Sequence, residues 1–285
     1  MKESMVEFRK VSKKLGKKQV LNEVDLMVAS GEVIGIIGAN GSGKTTLLRL
    51  VTGLMYPDKG QILVDGKNVR PGLIGSLPVS VRALIESPAF LPQFSGLKNL
   101  TMLADIRGEI DEQTVRKTME RVDLDPNNRK AVKTYSFGMN QRLGIAQAIM
   151  EKPNVLLLDE PTNGLDEDGL KMFASIMQEQ VAHNVAVILV SHVKEEIARY
   201  CDRVFTIQDG HLQITRDQRE RKWIIVTKDL ADLESIYHLI PSFEMSQRVE
   251  GHPAGMCNGE WANKEELISF LTKKDINPMD VKEVI

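Results

Sequence analysis

The run Gly38-Ala39-Asn40-Gly41-Ser42-Gly43-Lys44-Thr45 constrains this 285-residue chain more than any other feature. Its glycines let successive backbone N–H groups turn toward one point, and a lysine follows the last of them. The apolar stretch Val33 to Ile37 precedes the run, and Thr46 to Leu50 has the texture of a helix. Strand, glycine loop and helix in that order form a phosphate-binding loop. The N–H groups and the helix N-terminus cradle an anion, Lys44 reaches the outer phosphates, and the Thr45 hydroxyl is a Mg²⁺ ligand. Gly38, Asn40, Gly41, Ser42, Gly43, Lys44, Thr45 and Thr46 are therefore the candidate nucleotide contacts.

Further apolar runs, Val155 to Leu158 and Val185 to Val190, recur with helical stretches between them. That pattern predicts an α/β fold, a phosphate-loop NTPase core with a parallel sheet covered on both faces. Between the second and third runs, Leu170, Phe173, Met177 and Val181 are spaced as the buried stripe of a helix over Asp166 to Asn184. Met5 to Val11 and Val20 to Val28 alternate loosely and predict an antiparallel edge sheet, with Lys13 to Lys18 as the turn between them. Pro88 to Met150 has helical patterns only and is expected as a helical insertion facing a partner. After Gly210 a charged run, Arg216 to Lys222, leads to a strand at Trp223 to Thr227 and a helix at Leu230 to Leu239. A strand near Phe243 to Val249 and a helix at Asn263 to Lys274 complete the pattern. The expected division is a chemistry-bearing domain at 1–215, with its helical part at about 88–150, and a small α+β module at 219–285.

With 42% hydrophobic and 27% charged residues, the chain has the material for a packed core. Its 37 Lys and Arg against 39 Asp and Glu give a net charge of −2. No global positive field gathers nucleic acid, so phosphate must be held locally and no nucleic-acid partner is expected. The apolar runs fall far short of the roughly 18 to 20 residues that cross a bilayer. Lys2 and Glu3 open the chain with no apolar leader behind them, so a cytoplasmic location is expected. Cys201 and Cys257 have neither CxxC spacing nor histidine partners at metal-ligand intervals and are expected as reduced, structural thiols.

The strand Val155 to Leu158 ends in Asp159-Glu160. Adjacent strand side chains point in opposite directions, so the two acids take different tasks. Asp159 is the candidate Mg²⁺ ligand, and Glu160 the candidate group that orients and polarises an attacking water. His192 follows the strand Val185 to Val190, at the sheet end where open α/β folds place ligands, and is the candidate γ-phosphate contact.

Tyr135-Ser136-Phe137-Gly138-Met139-Asn140-Gln141-Arg142-Leu143 lies just before the acidic strand and opens a helix. This resembles the signature motif of ABC transporter ATP-binding subunits. With the phosphate loop, Asp159-Glu160, Asn163-Gly164-Leu165-Asp166 and His192 in the family's order, the resemblance covers residues 1 to about 215. Tyr-Ser-x-Gly-Met, with Ala83 to Phe90 upstream, looks most like the branch that exports bacitracin and lantibiotic-type peptides.

The resemblance implies that Ser136 and Gly138 face ATP held by a second ATP-binding subunit. Two chains then clamp two nucleotides head to tail, and Asp166 helps communication across the interface. It also implies a separate integral-membrane permease, received near Ala89 to Leu103, and a location on the inner face of the membrane. Three departures stand out. Glu86 occupies the place of a usual glutamine, and a carboxylate is at least as good a Mg²⁺ ligand as an amide. Leu15 replaces an aromatic that stacks on adenine, which predicts roughly tenfold weaker binding. Phe137 and Asn140 stand where the commonest signature has glycine and glutamine. A soluble ABC-type ATPase acting on ribosomes or nucleic acid, and a phosphate-loop kinase, are the alternative readings. The C-terminal module shows no recognisable chemistry and is assigned an interface or regulatory use as a hypothesis.

Overall fold

An N-terminal hairpin, β1 (Ser4–Leu15) and β2 (Lys18–Ala29), opens the chain in the computed structural model. Residues 3–69, 79–86, 88–193, 197, 199–217, 221–240, 243–246, 248–259, 261 and 264–284 are described. The expected turn over Lys13 to Lys18 is shorter than that. Strand pairing continues to Leu15 opposite Lys18, so only Gly16 and Lys17 turn. The lysines ride on strands of this sheet, where Lys13 pairs with Asp58 at 2.9 Å and Lys18 donates to the Gly41 carbonyl at 2.8 Å.

The chain divides into two compact units, Met1–Thr215 and Arg216–Ile285. In the first, β1 and β2 are followed by β3 (Val33–Ile37), α1 (Lys44–Val51), β4 (Lys59–Val64), β5 (Lys67–Asn68) and β6 (Val81–Leu84). Then come α2 (Gly96–Arg107), α3 (Glu112–Arg121), a single 3₁₀ turn at Val132–Thr134 and α4 (Phe137–Ile149). The unit closes with β7 (Val155–Asp159), α5 (Glu167–Ala182), β8 (Ala186–Val190), β9 (Arg203–Gln208) and β10 (His211–Asp217). One sheet has the order β2-β1-β4-β5 and the other β10-β9-β3-β8-β7-β6. The pairs β9/β3, β3/β8, β8/β7 and β7/β6 are all parallel.

Alternation along β7 and β8 divides the core in two. Val155, Leu157, Ile188 and Val190 join Leu47, Leu48, Leu50 and Val51 of α1 and the inner face of the hairpin sheet. Leu156, Leu158, Val187 and Leu189 join α4, α5 and the helical segment between β6 and β7 on the other side. These strands lie between two apolar layers, so both of their faces must be hydrophobic. The stripe of α5 departs from expectation. Its buried residues include Met172, Phe173, Ile176 and Met177, while Leu170 is half-buried and Val181 is exposed. Cys201 is buried in this unit and is not in a disulfide.

The second unit is an antiparallel sheet of order β12-β13-β11-β14. Its strands are β11 (Arg221–Val226), β12 (Glu244–Met245), β13 (Ala254–Gly259) and β14 (Asp280–Val284). Trp223, Ile225, Cys257 and Val281 pack with Leu233 and Ile236 of α6 (Leu230–Leu239), and with Leu267 and Leu271 of α7 (Lys264–Thr272). The strand expected over Phe243 to Val249 shrinks to the two residues of β12, because Gly251 turns the chain back at φ 86° and a new strand, β13, follows. Neither β13 nor β14 has a counterpart in the sequence pattern. Arg219 and Asn263, where the sequence places a boundary and a helix start, lie outside the described residues.

Candidate functional site

The loop between β3 and α1 is shaped by backbone geometry before any side chain acts. Gly43 caps α1 at φ 113°, and a Cβ there would lie 2.7 Å from the Val20 carbonyl oxygen. Only glycine fits between the loop and β2. Lys44 follows, nearly buried, and its ammonium donates to the Gly38 carbonyl at 2.7 Å and the Ala39 carbonyl at 3.2 Å. These bonds hold the cation under the loop, where a phosphate would take it over. From β2, Lys18 reaches the Gly41 carbonyl at 2.8 Å and ties the hairpin to the loop.

The alternation of β7 carries Asp159 to the same face as Val155 and Leu157, which is the α1 side. There its Oδ2 accepts the Thr45 hydroxyl proton at 2.7 Å. Burial raises the pKa of Asp159 above its ordinary value, with the charges of Glu160 and Glu86 acting the same way, while the Thr45 hydrogen bond and Lys44 lower it. A hydroxyl and a buried carboxylate side by side, short of positive charge, are a hard-oxygen donor set that suits Mg²⁺. No group of three or more His, Cys, Asp or Glu residues able to hold a metal occurs among the described residues. Mg²⁺ needs none, since it commonly takes one or two protein ligands and fills its shell with phosphate and water oxygens.

Glu160 turns away from the strand at φ 50°. Its Oε2 accepts from His192 Nδ1 at 2.8 Å, which leaves imidazole Nε2 on the far edge of the ring. Behind it, Gln141 Nε2 donates to the Glu160 carbonyl at 3.2 Å and the Pro161 carbonyl at 2.8 Å, tying α4 to the end of β7.

A cleft of about 490 Å³ gathers Leu15, Asn40, Gly41, Gly43, Lys44, Thr45, Thr46, Glu86, Asp159 and Glu160. His192 joins it through Glu160. Gly38 and Ser42 line a separate recess on the other side of the loop, against Asp209 and Gly210. Ser136, Gly138 and Asp166 are not among the cleft's lining. Ser136 is the exposed N-cap of α4, its Oγ accepting from the Met139 N–H at 3.2 Å. Gly138 is pressed against the Gly164 carbonyl, 2.7 Å from where a Cβ would sit. Asp166 caps α5 through the Gly169 N–H at 2.9 Å and accepts from Arg142 at 2.7 Å.

Sequence reasoning missed three contributors. Gln141 supports the Glu160 backbone, Arg49 pairs with Glu86 at 2.7 Å, and Phe137 enters the cleft lining with 62% of its surface exposed. Phe137 had a signal, its departure from glycine. Arg49 and Gln141 act through partners far along the chain, and no spacing marks them.

The ABC transporter family profile matches residues 21–163. The chain is 39% identical to YdbJ of Bacillus subtilis, an uncharacterized ABC transporter ATP-binding protein, over 75% of this chain and 69% of that one. It is 34% identical to BcrA of Enterococcus faecalis, a bacitracin transport ATP-binding protein, over 98% of this chain and 95% of that one. With SrtF of Streptococcus pyogenes, a lantibiotic transport ATP-binding protein, it shares 31% identity over 75% of this chain and 91% of that one. Among solved structures, the ATP binding subunit of an ABC transporter superposes with a TM-score of 0.67 at 26% identity, covering 73% of this chain and 88% of its own. An ATP-binding cassette solved as a dimer in a post-hydrolysis state with ADP and Pi has the same fold, with a TM-score of 0.67 at 22% identity over 75% of this chain and 99% of its own.

Proposed function

The chain belongs to the ABC transporter ATP-binding family, and from its cleft we propose that it hydrolyses ATP to drive a transporter whose membrane-spanning permease is a separate chain. The observation that carries this reading is the convergence of Lys44, Thr45, Asp159 and the Glu160–His192 pair on one cleft beside a glycine loop.

In this reading the loop N–H groups and Lys44 bind the β- and γ-phosphates, Lys44 exchanging the Gly38 and Ala39 carbonyls for phosphate oxygens. Thr45 and Asp159 hold Mg²⁺. A cation held by Thr45 and Asp159 would supply positive charge to offset the charge that develops on the phosphoryl oxygens. Glu160 orients a water in line with the γ-phosphorus and accepts its proton as the oxygen bonds to phosphorus and the bond to ADP breaks. His192 steadies Glu160 through Nδ1 and presents Nε2 toward the γ-phosphate, donating there when it carries a second proton.

Ser136 and Gly138, exposed or half-buried at the tip of α4 and outside their own chain's cleft, suit a donor pair that serves a second ATP-binding subunit. Each subunit then completes the other's site, and an isolated protomer is a poor ATPase because transition-state donors are missing on one side. No helix among the described residues is long and apolar enough to cross a membrane. The proposed location is the inner face of the membrane, reached through the permease, as suits a chain similar to transport ATP-binding proteins. Similarity to a bacitracin transport protein over nearly the whole chain, second unit included, supports a peptide antibiotic or related amphiphile as cargo, with export as the proposed direction.

The test is phosphate release from ATP and Mg²⁺ by the purified chain. Glu160→Gln is expected to lower turnover roughly 10²- to 10⁴-fold, the range for loss of a general base, while ATP binding persists. Lys44→Ala is expected to abolish binding or turnover. Full turnover in Glu160→Gln removes Glu160 from the role of general base, and a phosphorylated small molecule in place of free phosphate identifies a kinase instead.

A further inference from the structure

Arg49 stands on the cleft's charge balance with no part in the chemistry above. It leaves the last turn of α1, the helix whose first turn carries Lys44 and Thr45, and its guanidinium lies 2.7 Å from Glu86 Oε1. The side chains are 38% and 62% exposed, so the pair sits at the rim and can open without unpacking the core. Glu86 lines the same cleft as Thr45 and Asp159. Its backbone holds φ 60°, a conformation that residues with side chains seldom adopt. Such a backbone fixes where the Glu86 side chain starts, and Arg49 then fixes where its carboxylate ends. Three carboxylates, Glu86, Asp159 and Glu160, face the cleft with Lys44 among them, and Arg49 answers the charge of Glu86 from outside.

We propose that Arg49 is a positioning residue that competes with the divalent cation for the Glu86 carboxylate, holding Glu86 on α1 in the nucleotide-free cleft and releasing it when a metal–nucleotide complex enters. The inference rests on the reading that Thr45 and Asp159 hold Mg²⁺. The pair sets how tightly the cation is held without touching the γ-phosphate, because a guanidinium beside a carboxylate withdraws part of the charge offered to a metal. Return of Glu86 to Arg49 favours departure of the metal with ADP.

The test uses the full chain with a fluorescent, non-hydrolysable ATP analogue and reads nucleotide binding as Mn²⁺ is titrated in, so no turnover is needed. In Arg49→Gln the half-saturating Mn²⁺ is expected to fall roughly three- to tenfold, as fits removal of one partly solvated charge. Arg49→Lys keeps the charge and should stay near the wild type. Glu86→Gln should raise the Mn²⁺ requirement, and adding Arg49→Gln to it should change nothing further. An unmoved or higher Mn²⁺ requirement in Arg49→Gln, or an equal shift in the Glu86→Gln background, overturns the proposal alone. Wild-type binding with no cation dependence overturns the metal reading and this inference with it.

Discussion

Leu15 sits at the lip of the cleft with 44% of its surface exposed, on the hairpin that Lys18 ties to the phosphate loop. An aliphatic side chain offers an adenine ring apolar contact but no π face. Leu15→Tyr is therefore expected to tighten ATP binding by roughly tenfold, within the 1–3 kcal/mol range of base–aromatic stacking. Calorimetric titration with ATP measures it, and unchanged affinity means that residue 15 does not face the base. Asp159 gives a second prediction, with its sign set by the environment. Its folded-state pKa is raised, chiefly by burial, so the folded protein holds that proton more tightly than the unfolded chain does. The linked stability is greatest at low pH and is lost as pH rises through the folded value. The same proton occupies the carboxylate that Mg²⁺ requires, so the half-saturating Mg²⁺ for nucleotide binding should climb as pH falls toward that value. Asp159→Asn should remove the climb and, by removing a buried charge, melt no lower than the wild type at neutral pH in the absence of nucleotide. At this scale the positions of Asp159, Glu160 and His192 at strand ends were legible, because an apolar run of strand length ends where its first polar residues stand. Arg49 and Gln141 were not legible, because α1 meets Glu86 after β6, and α4 meets Glu160 after β7, only once the chain is folded.

At the scale of elements, α5 separates a structural task from a proposed functional one. Asp166 is its N-cap, and the same oxygen that accepts the Gly169 N–H also accepts from Arg142 of α4. Asp166→Ala should lower the melting temperature through loss of the cap. Asp166→Ser keeps a capping oxygen but not the charge that answers Arg142, so it should recover most of that loss. If Asp166→Ser melts like the wild type yet loses ATPase activity, the charge of Asp166 has a task beyond capping, whereas retained activity confines the residue to the helix start. Thermal melts and phosphate release on the same preparations make the comparison. The stripe of α5 also shows why periodicity reads a helix more readily than its face. Steps of four residues advance the helix by about 40° beyond a full turn, so a line through Phe173, Met177 and Val181 rotates out of the core by its last member. Met172 and Ile176 restore the arc. Strand β13 was missed for a different reason. Ala254-Gly255-Met256-Cys257-Asn258-Gly259 has no β-branched residue, and it is a strand because β11 and β12 pair with it on either side.

For the whole molecule, the decisive fact is a site whose parts do not all face inward. The cleft gathers the phosphate loop and the acids of its own chain, while Ser136 caps an exposed helix tip outside that cleft. Phe137 beside it rests on Gly164, where φ is 77° and a Cβ would overlap the ring, so the tip is braced against the turn that leads to Asp166. In the proposed reading Ser136 and Gly138 are anion donors, and this braced, exposed tip has no phosphate of its own chain to bind. The proposed use is the nucleotide of a second copy or a paired subunit, in which case ATP acts as the adhesive between protomers and its hydrolysis weakens the contact. Glu160→Gln should therefore accumulate as a dimer when ATP is added and as a monomer with ADP, as read by sedimentation velocity. Adding Ser136→Glu places a negative charge at the helix tip, where it repels the partner's γ-phosphate. The dimer should then fail to form, while each monomer still binds ATP with the affinity that Glu160→Gln shows at concentrations too dilute for it to dimerise. A dimer that survives Ser136→Glu assigns the contact to another surface. Retained monomer binding with loss of the dimer locates the donors of α4 between subunits, and makes the second copy part of the active site rather than an accessory to it.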